Sequence, residues 1–365
     1  MGSALHQLVP NLAFGDAISQ QALTLQKLLH GLGARSEIYA QHVDSRLRGS
    51  ARPHRRLLEE QGGEAPVLYH FSIGSEVTDT YRLLPNPRAL LYHNITPPEF
   101  FRGVNEKVAA HCARGREELQ SLRSTCRVAL ADSEFNRSEL EALGFENTAV
   151  LPIILDPERY AVRSVRRIER PYRDGHVNFL HVGRLVPNKR IEDVIKVFYF
   201  YRRKINPDSR LFLVGIDTDM EIYAFALREL VQELGLSGVV FTGGVTQREL
   251  VSYYRIAQVY LCMSEHEGFC VPLVEAMHFG VPVIAYAAGA VPETLGDAGA
   301  LVLRKEFPEL AELAALLCED PDLRMQAVAD GRRRARHFEP GAILPRLRNI
   351  VETLALTPGA GRVLP

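Results

Sequence analysis

Short apolar runs alternate with helical patterns from one end of this chain to the other, and that alternation limits the fold more than any other feature. Parallel neighbours cannot be joined by a tight turn, so strands that alternate with helices build a parallel sheet covered on both faces. The first half offers strands near Leu5 to Val9, Glu37 to Ala40, Val67 to Phe71, Ala89 to Tyr92, Val128 to Ala131 and Ala149 to Pro152. The second half offers Val177 to Val182, Arg210 to Val214, Val239 to Thr242, Gln258 to Cys262, Val281 to Tyr286 and Ala300 to Leu303. The pattern is that of α/β, doubly wound, Rossmann-like units. At 365 residues the chain exceeds an ordinary single core, so two domains are expected. The charged, turn-rich stretch after Asp156 lacks apolar periodicity, which places a first domain at 1–156, a linker at 157–174 and a second domain at 175–340. An amphipathic helix follows over 341–356, and 357–365 reads as a frayed tail.

A formal net charge of −1 gives no reason to expect nucleic acid as a partner. The five cysteines, Cys112, Cys126, Cys262, Cys270 and Cys318, show no Cys-x-x-Cys spacing and read as buried free thiols in a reducing compartment. The 12 histidines form no ligand cluster, so no metal is expected. No signal peptide and no span of roughly 20 apolar residues is visible. A cytoplasmic location is the expectation. The Met1-Gly2 start is followed by His6 where a myristoylation site needs Ser or Thr.

Glu267 and Glu275 stand among apolar residues, with the interior strand Val259 to Met263 before them and a short helix, opened by Pro272 and closed by Gly280, around the second. A carboxylate in such a helix needs donors, and ligand hydroxyls would serve; the plainer reading is a Glu favoured by the positive end of the helix dipole. The stretch Glu267-Gly268-Phe269-Cys270-Val271-Pro272-Leu273-Val274-Glu275, with the Ala-Met-x-x-Gly-x-Pro-Val-Ile and Gly-x-x-Pro-Glu elements after it, resembles the Glu-x7-Glu signature of the family four retaining glycosyltransferases. The resemblance implies the GT-B architecture, two Rossmann-like doubly wound domains facing an interdomain cleft, and a final helix that crosses back to the first domain. It implies that Glu275 holds ribose hydroxyls, while Glu267 with the backbone of Gly268, Phe269, Cys270 and Val271 holds the transferred sugar. Gly268 permits close backbone approach, and amides at a helix start favour anions.

The strand Val177 to Val182 leads into Gly183-Arg184-Leu185-Val186-Pro187-Asn188-Lys189-Arg190, with Asn188 a candidate helix cap. Two cations at a helix start can be plain solvated surface. They can equally neutralise a departing diphosphate without metal. Gly-Arg-Leu-x-x-x-Lys resembles the same family, in which Gly183 would line the donor site and Arg184 and Lys189 would clamp the diphosphate. By the same resemblance Gly244 and Val245 meet the nucleobase, and the plainer alternative is a turn capped by a Thr246–Glu249 box. The Asp217-Thr218-Asp219 stretch mimics a metal motif of another glycosyltransferase fold and is read as a loop cap. In the first domain Gly15 and Asp16 occupy the place where similar enzymes touch the diphosphate, although Asp16 can also cap its helix or meet the acceptor. His93 matches a family histidine beside the reacting sugar; a lone His at a strand end is otherwise structural. The basic stretch with Arg46, Arg48, Arg52, His54, Arg55 and Arg56 is either a solvated loop or a seat for an anionic acceptor or membrane surface.

Neither half carries a strand followed by Gly-x-Gly-x-x-Gly or a Walker loop, which counts against dehydrogenases and ATPases. The resemblance makes this a retaining, metal-independent hexosyltransferase without cofactor, using a UDP- or GDP-sugar donor bound by the second domain. The first domain would present a glycan or lipid-linked acceptor, with peripheral contact at the inner membrane face. Two other readings stay open: a sugar-nucleotide epimerase of similar fold, and a non-catalytic sugar-nucleotide-binding protein.

Overall fold

The computed structural model describes residues 4–59 and 65–355; the expected tail at 357–365 lies outside the described residues. The chain divides into two compact units. The first gathers the described residues up to Pro98, Ala109–Ile154 and those from Glu339 onward. Its strands are β1 (His6–Leu12), β2 (Ile38–Val43), β3 (Arg52–Pro53), β4 (Val67–Phe71), β5 (Arg88–Tyr92), β6 (Val128–Ala131) and β7 (Thr148–Val150). They form one parallel sheet in the order β3-β2-β1-β4-β5-β6-β7, with Leu8 of β1 paired to Tyr39 on one side and Tyr69 on the other. The two-residue edge strand β3 falls inside the basic stretch, where it is too short to leave a period-2 pattern. Leu25 and Leu29, on the helix Ala17–Gly31, pack with Leu68, Leu91 and Leu130 of the sheet. Ile343, Leu347, Ile350 and Leu354 join the same core at spacings of three and four, the apolar stripe of the helix Pro340–Ala355.

The second unit holds Glu99–Val108 and Leu155–Phe338. Its parallel strands are β8 (Val177–Val182), β9 (Ser209–Val214), β10 (Val239–Gly243), β11 (Val259–Cys262), β12 (Val283–Tyr286) and β13 (Ala300–Val302), in the order β10-β9-β8-β11-β12-β13. Phe179, Leu211 and Leu261 of the sheet pack against Val194, Phe198 and Tyr201 of the helix Ile191–Lys204. Residues 157–174 are part of this unit and carry the short helices Pro157–Tyr160 and Arg166–Glu169. Polar ties hold them in place of an apolar stripe: the Val165 amide donates to Ser252 Oγ at 2.7 Å, and Arg167 meets Glu249 at 2.8 Å.

Counted within each unit, the strand order is 3-2-1-4-5-6, with β7 added at one edge of the first sheet. This is the doubly wound Rossmann order, and in such sheets ligands sit beyond the carboxyl ends of the strands where the order reverses. In the second unit that switch point lies between β8 and β11.

Candidate functional site

The loops after β8 and β11 meet at the switch point of the second unit. Lys189 Nζ donates to Glu267 Oε1 at 2.6 Å, and Ser264 Oγ donates to the same oxygen at 2.8 Å. The pair keeps 15% and 11% of its side-chain exposure, so it is shielded yet reachable. Burial alone would push the Lys189 ammonium down; the Glu267 carboxylate beside it overrides this and holds its pKa above the ordinary lysine value. Close packing here requires glycine. A Cβ on Gly183, whose φ is +151°, would meet Lys189 Cε at 3.0 Å, and one on Gly289, at φ +55°, would stand 2.5 Å from the Glu267 carbonyl oxygen. That carbonyl accepts from the Ala290 amide at 2.9 Å.

Asn188 does not cap the following helix. Its buried side chain instead donates to the His266 carbonyl at 3.0 Å, while its own carbonyl accepts from the Glu265 amide at 2.8 Å, stitching the two loops together. The cap position of the helix Ile191–Lys204 is Arg190, in the left-handed region at φ 50°. Lys305 Nζ reaches Asp193 and Glu265 at 2.8 Å each, and Arg190 reaches the same two carboxylates, so an ionic cluster braces the base of both loops. Arg184 is exposed; its Nη2 donates to the Thr218 carbonyl at 3.2 Å, and among the described residues it has no acidic partner. Asp217 is held by Arg228 at 3.0 Å, in keeping with a loop role for Asp217-Thr218-Asp219.

Glu275 lies on the helix Val271–Phe279 and is 5% exposed. Its Oε1 accepts from the Tyr160 hydroxyl at 2.6 Å and its Oε2 from the Tyr254 hydroxyl at 2.7 Å. The donors that burial demands are thus supplied by the protein. Each bond to a charged acceptor contributes about 1.5–3 kcal/mol, which offsets the desolvation of the carboxylate, and each oxygen keeps a second lone pair. Burial, and then the Glu275 charge, push both phenol pKa values up, so the tyrosines remain donors. Between the two glutamates, Cys270 takes the helix N-cap position in the left-handed region at φ 72°, a conformation that costs a non-glycine residue roughly 1–3 kcal/mol. The Phe269 carbonyl just before it accepts from Thr294 Oγ1 at 2.5 Å. Val271 opens the helix. At the end of β10, Gly244 is exposed and Val245 half-exposed, and the Thr246–Glu249 capping box forms beside them.

The first unit places its singled-out residues in another way. Gly15 adopts φ +82° with open space where a Cβ would stand, and Asp16 caps the helix Ala17–Gly31 by accepting from the Ser19 amide at 2.8 Å. His93 follows β5 and is buried, with both ring nitrogens engaged: Nδ1 with Asp132 Oδ2 at 2.8 Å and Nε2 with His70 Nδ1 at 2.9 Å. In turn His70 Nε2 meets Gln7 Oε1 at 2.9 Å, and Gln7 Nε2 donates to the Ala22 carbonyl. That amide orientation makes His70 a donor to Gln7 and an acceptor from His93, leaving one proton shared between His93 and Asp132. Burial, then His93, hold the His70 pKa far below its ordinary value, and burial raises that of Asp132. His93 therefore has a structural part in this arrangement and no ring nitrogen left for a sugar.

Residues 166–334 match the family model described as glycosyl transferases group 1. This segment is similar to the group 1 glycosyltransferase domains. A 111-residue stretch is 38% identical to the MMP alpha-(1->4)-mannosyltransferase of Mycolicibacterium hassiacum, covering 29% of this chain and 27% of that protein. Over 195 residues the chain is 30% identical to the GDP-mannose-dependent alpha-(1-6)-phosphatidylinositol monomannoside mannosyltransferase of Mycobacterium tuberculosis, covering 50% and 49%. The chain thus spans about half the length, or less, of these curated relatives. Among solved structures, Anabaena HepE in complex with UDP and glucose superposes with TM-score 0.78 at 17% identity, over 96% of this chain and 100% of that one. WaaG, a glycosyltransferase involved in lipopolysaccharide biosynthesis, gives TM-score 0.71 at 15% identity, over 95% and 99%. The fold is GT-B, as the sequence led us to expect.

Within the matched segment, the structure brings Arg184, Lys189, Glu267, Gly268, Phe269, Cys270 and Val271 to the loops at one switch point, with Glu275 on the helix behind them. Tyr160, Tyr254, Ser264 and Lys305 support these residues and were not singled out from the sequence. Tyr254 lies on the helix Gln247–Ile256, in an apolar pattern that reads as core, and Tyr160 in the stretch taken for a linker. No helix among the described residues is long and apolar enough to cross a membrane.

Proposed function

We propose that this protein is a retaining glycosyltransferase that moves a hexose from a nucleoside diphosphate sugar to a hydroxyl of a glycan or lipid-linked acceptor, with no metal in the reaction. The observation that carries the reading is the shielded Lys189–Glu267 pair across the β8/β11 switch point, with the exposed Arg184 on the same loop as Lys189. As the bond between the anomeric carbon and the diphosphate oxygen breaks, charge grows on the phosphate. Arg184 offers a planar fork and Lys189 an ammonium already positioned by Glu267, so the leaving group finds preorganised positive charge. Glu267 Oε1 is taken by Lys189 and Ser264, which leaves Oε2 to accept from a sugar hydroxyl. The backbone of Gly268 to Val271 adds amides beside it. Glu275 accepts from ribose hydroxyls through the lone pairs that Tyr160 and Tyr254 leave open. Gly244 and Val245 lie against the base.

In the retaining course the acceptor oxygen bonds to the anomeric carbon on the face the diphosphate leaves, and its proton passes to a leaving phosphate oxygen. Gly15 and Asp16 are assigned to the donor as backbone contacts, with the Asp16 carboxylate occupied as a cap. Both base classes occur among similar proteins: one relative is GDP-mannose-dependent, and HepE is seen with UDP. The test is a product assay with UDP- and GDP-sugars against saccharide and lipid-linked acceptors, reading the anomeric configuration of the product by NMR. Transfer with the donor's anomeric configuration is expected. Conversion of the donor to another sugar nucleotide without any acceptor would instead identify an epimerase.

A further inference from the structure

We infer that Cys262, Cys270 and Glu267 form a binding site for one soft divalent metal ion of the zinc class. Cys262 is the last residue of β11 and Cys270 the left-handed cap of the helix Val271–Phe279, so the intervening loop doubles back and turns the two thiols toward each other. Their sulfurs stand 3.9 Å apart. Two zinc–sulfur bonds of about 2.3 Å at a tetrahedral angle span about 3.8 Å, so the thiols already have the separation that such an ion requires. A disulfide would need the sulfurs at about 2.0 Å, a closure the buried pair has not made. The third ligand is in place as well: a Glu267 carboxylate oxygen and both sulfurs lie within 4.8 Å of one another.

Charge supports the same assignment. Two thiolates and one carboxylate bring three negative charges, and a divalent ion with the Lys189 ammonium, 2.6 Å from Glu267, balances them. Each thiol releases its proton to solvent on coordination, so affinity rises with pH. Sulfur ligands favour zinc or cadmium over magnesium or calcium. Cys262 is 1% and Cys270 5% exposed, which keeps competing water from the sulfurs, and three protein ligands leave a fourth position open. On the reading that Glu267 takes the sugar, an ion here occupies the carboxylate the donor needs, and zinc becomes an inhibitor of transfer. Metal binding itself requires no sugar nucleotide, so the site and the transferase reading fail separately.

The test uses the full chain, reduced, stripped with a chelator and kept under nitrogen. Cadmium is titrated while the ultraviolet sulfur-to-cadmium charge-transfer band is followed, and zinc affinity is measured against a chromophoric chelator. One equivalent per chain is expected. Cys262→Ser and Cys270→Ser should each weaken binding by at least about a hundredfold, and Cys126→Ser should leave it unchanged, with thermal melts confirming that each variant is folded. Should Cys270→Ser not fold, Cys262→Ser and Cys262→Ala carry the comparison. The absence of the band in the wild type, or its persistence in the folded Cys262 variants, would overturn the assignment.

Discussion

Tyr160 and Glu275 are joined by a 2.6 Å hydrogen bond across 115 positions of sequence, and this bond fixes a short helix after the first sheet to the carboxylate of the candidate donor site. With Tyr254 on the other oxygen, the carboxylate is aimed before any ligand arrives. Tyr160→Phe and Tyr254→Phe should each lower stability by about 1–3 kcal/mol, since each leaves a buried acceptor one donor short. Glu275→Gln should weaken nucleoside diphosphate binding, because an amide offers one acceptor where the carboxylate offers two. Calorimetric titration checks this. An unchanged affinity in Glu275→Gln would remove the ribose role.

Arg184→Ala and Lys189→Ala should each reduce kcat at least about a hundredfold, the usual loss of about 2.7–4 kcal/mol when a preorganised donor to a developing anion is removed. The two differ in stability. Arg184 is exposed without an acidic partner among the described residues, so its loss should leave the melt unchanged, whereas Lys189→Ala strands the shielded Glu267 and should destabilise the fold by about 3–5 kcal/mol. Turnover and thermal melts on the same two variants separate these effects; near-normal kcat in both would defeat the assignment.

Folding stability should fall in acid through His181. Its Nδ1 meets the Leu261 carbonyl at 2.9 Å and so carries a hydrogen, while Nε2 is buried with no hydrogen-bond partner among the described residues, so a second proton there is disfavoured and the ring is neutral. Burial holds its pKa down at about 4, against about 6.5 in the unfolded chain. The unfolded state therefore binds the proton first as pH falls. The contribution of His181 is fully present above about pH 6.5 and is lost progressively toward pH 4, by up to about 3 kcal/mol. Denaturant titrations across this range should show a shallower decline in His181→Asn, which keeps the donor and cannot titrate. An identical decline in both proteins would contradict it.

Transfer should survive chelation of divalent ions, because Arg184 and Lys189 supply the positive charge that a metal would otherwise bring. Treatment of a zinc-exposed preparation with a chelator should raise activity. Abolition by the chelator, with rescue by magnesium or manganese, would contradict this.

The parallel sheets were legible because strands buried on both faces leave continuous apolar runs, as in Val259 to Met263 and Val128 to Ala131. Arg184, Lys189 and the stretch from Glu267 to Glu275 were legible because each group sits on one short loop or helix whose spacing is local. What escaped depends on pairing across the fold. Tyr160 looked like part of a charged linker, since the ties that anchor that stretch, Val165 to Ser252 and Arg167 to Glu249, are polar and leave no period. Cys262 and Cys270, eight positions apart, match no ligand spacing until the strand–loop–helix turn folds them together. His93 looked available for a ligand because its partners come from elsewhere in the sheet, His70 from β4 and Asp132 from just after β6. Asn188 looked like a cap, yet its side chain is drawn to the His266 carbonyl.

The most direct measurement is a thermal-shift screen of the purified protein against nucleoside mono- and diphosphates and their sugars. A ligand that binds only the folded state stabilises it by about 2.7 kcal/mol at a hundredfold excess over Kd. One base class should stand out, and its diphosphate should give most of the shift, because Arg184, Lys189 and Glu275 are all assigned to the nucleotide. The shift should shrink in Arg184→Ala and in Glu275→Gln. A protein unmoved by every diphosphate and sugar nucleotide, or one whose shift is the same in both variants, would contradict the account.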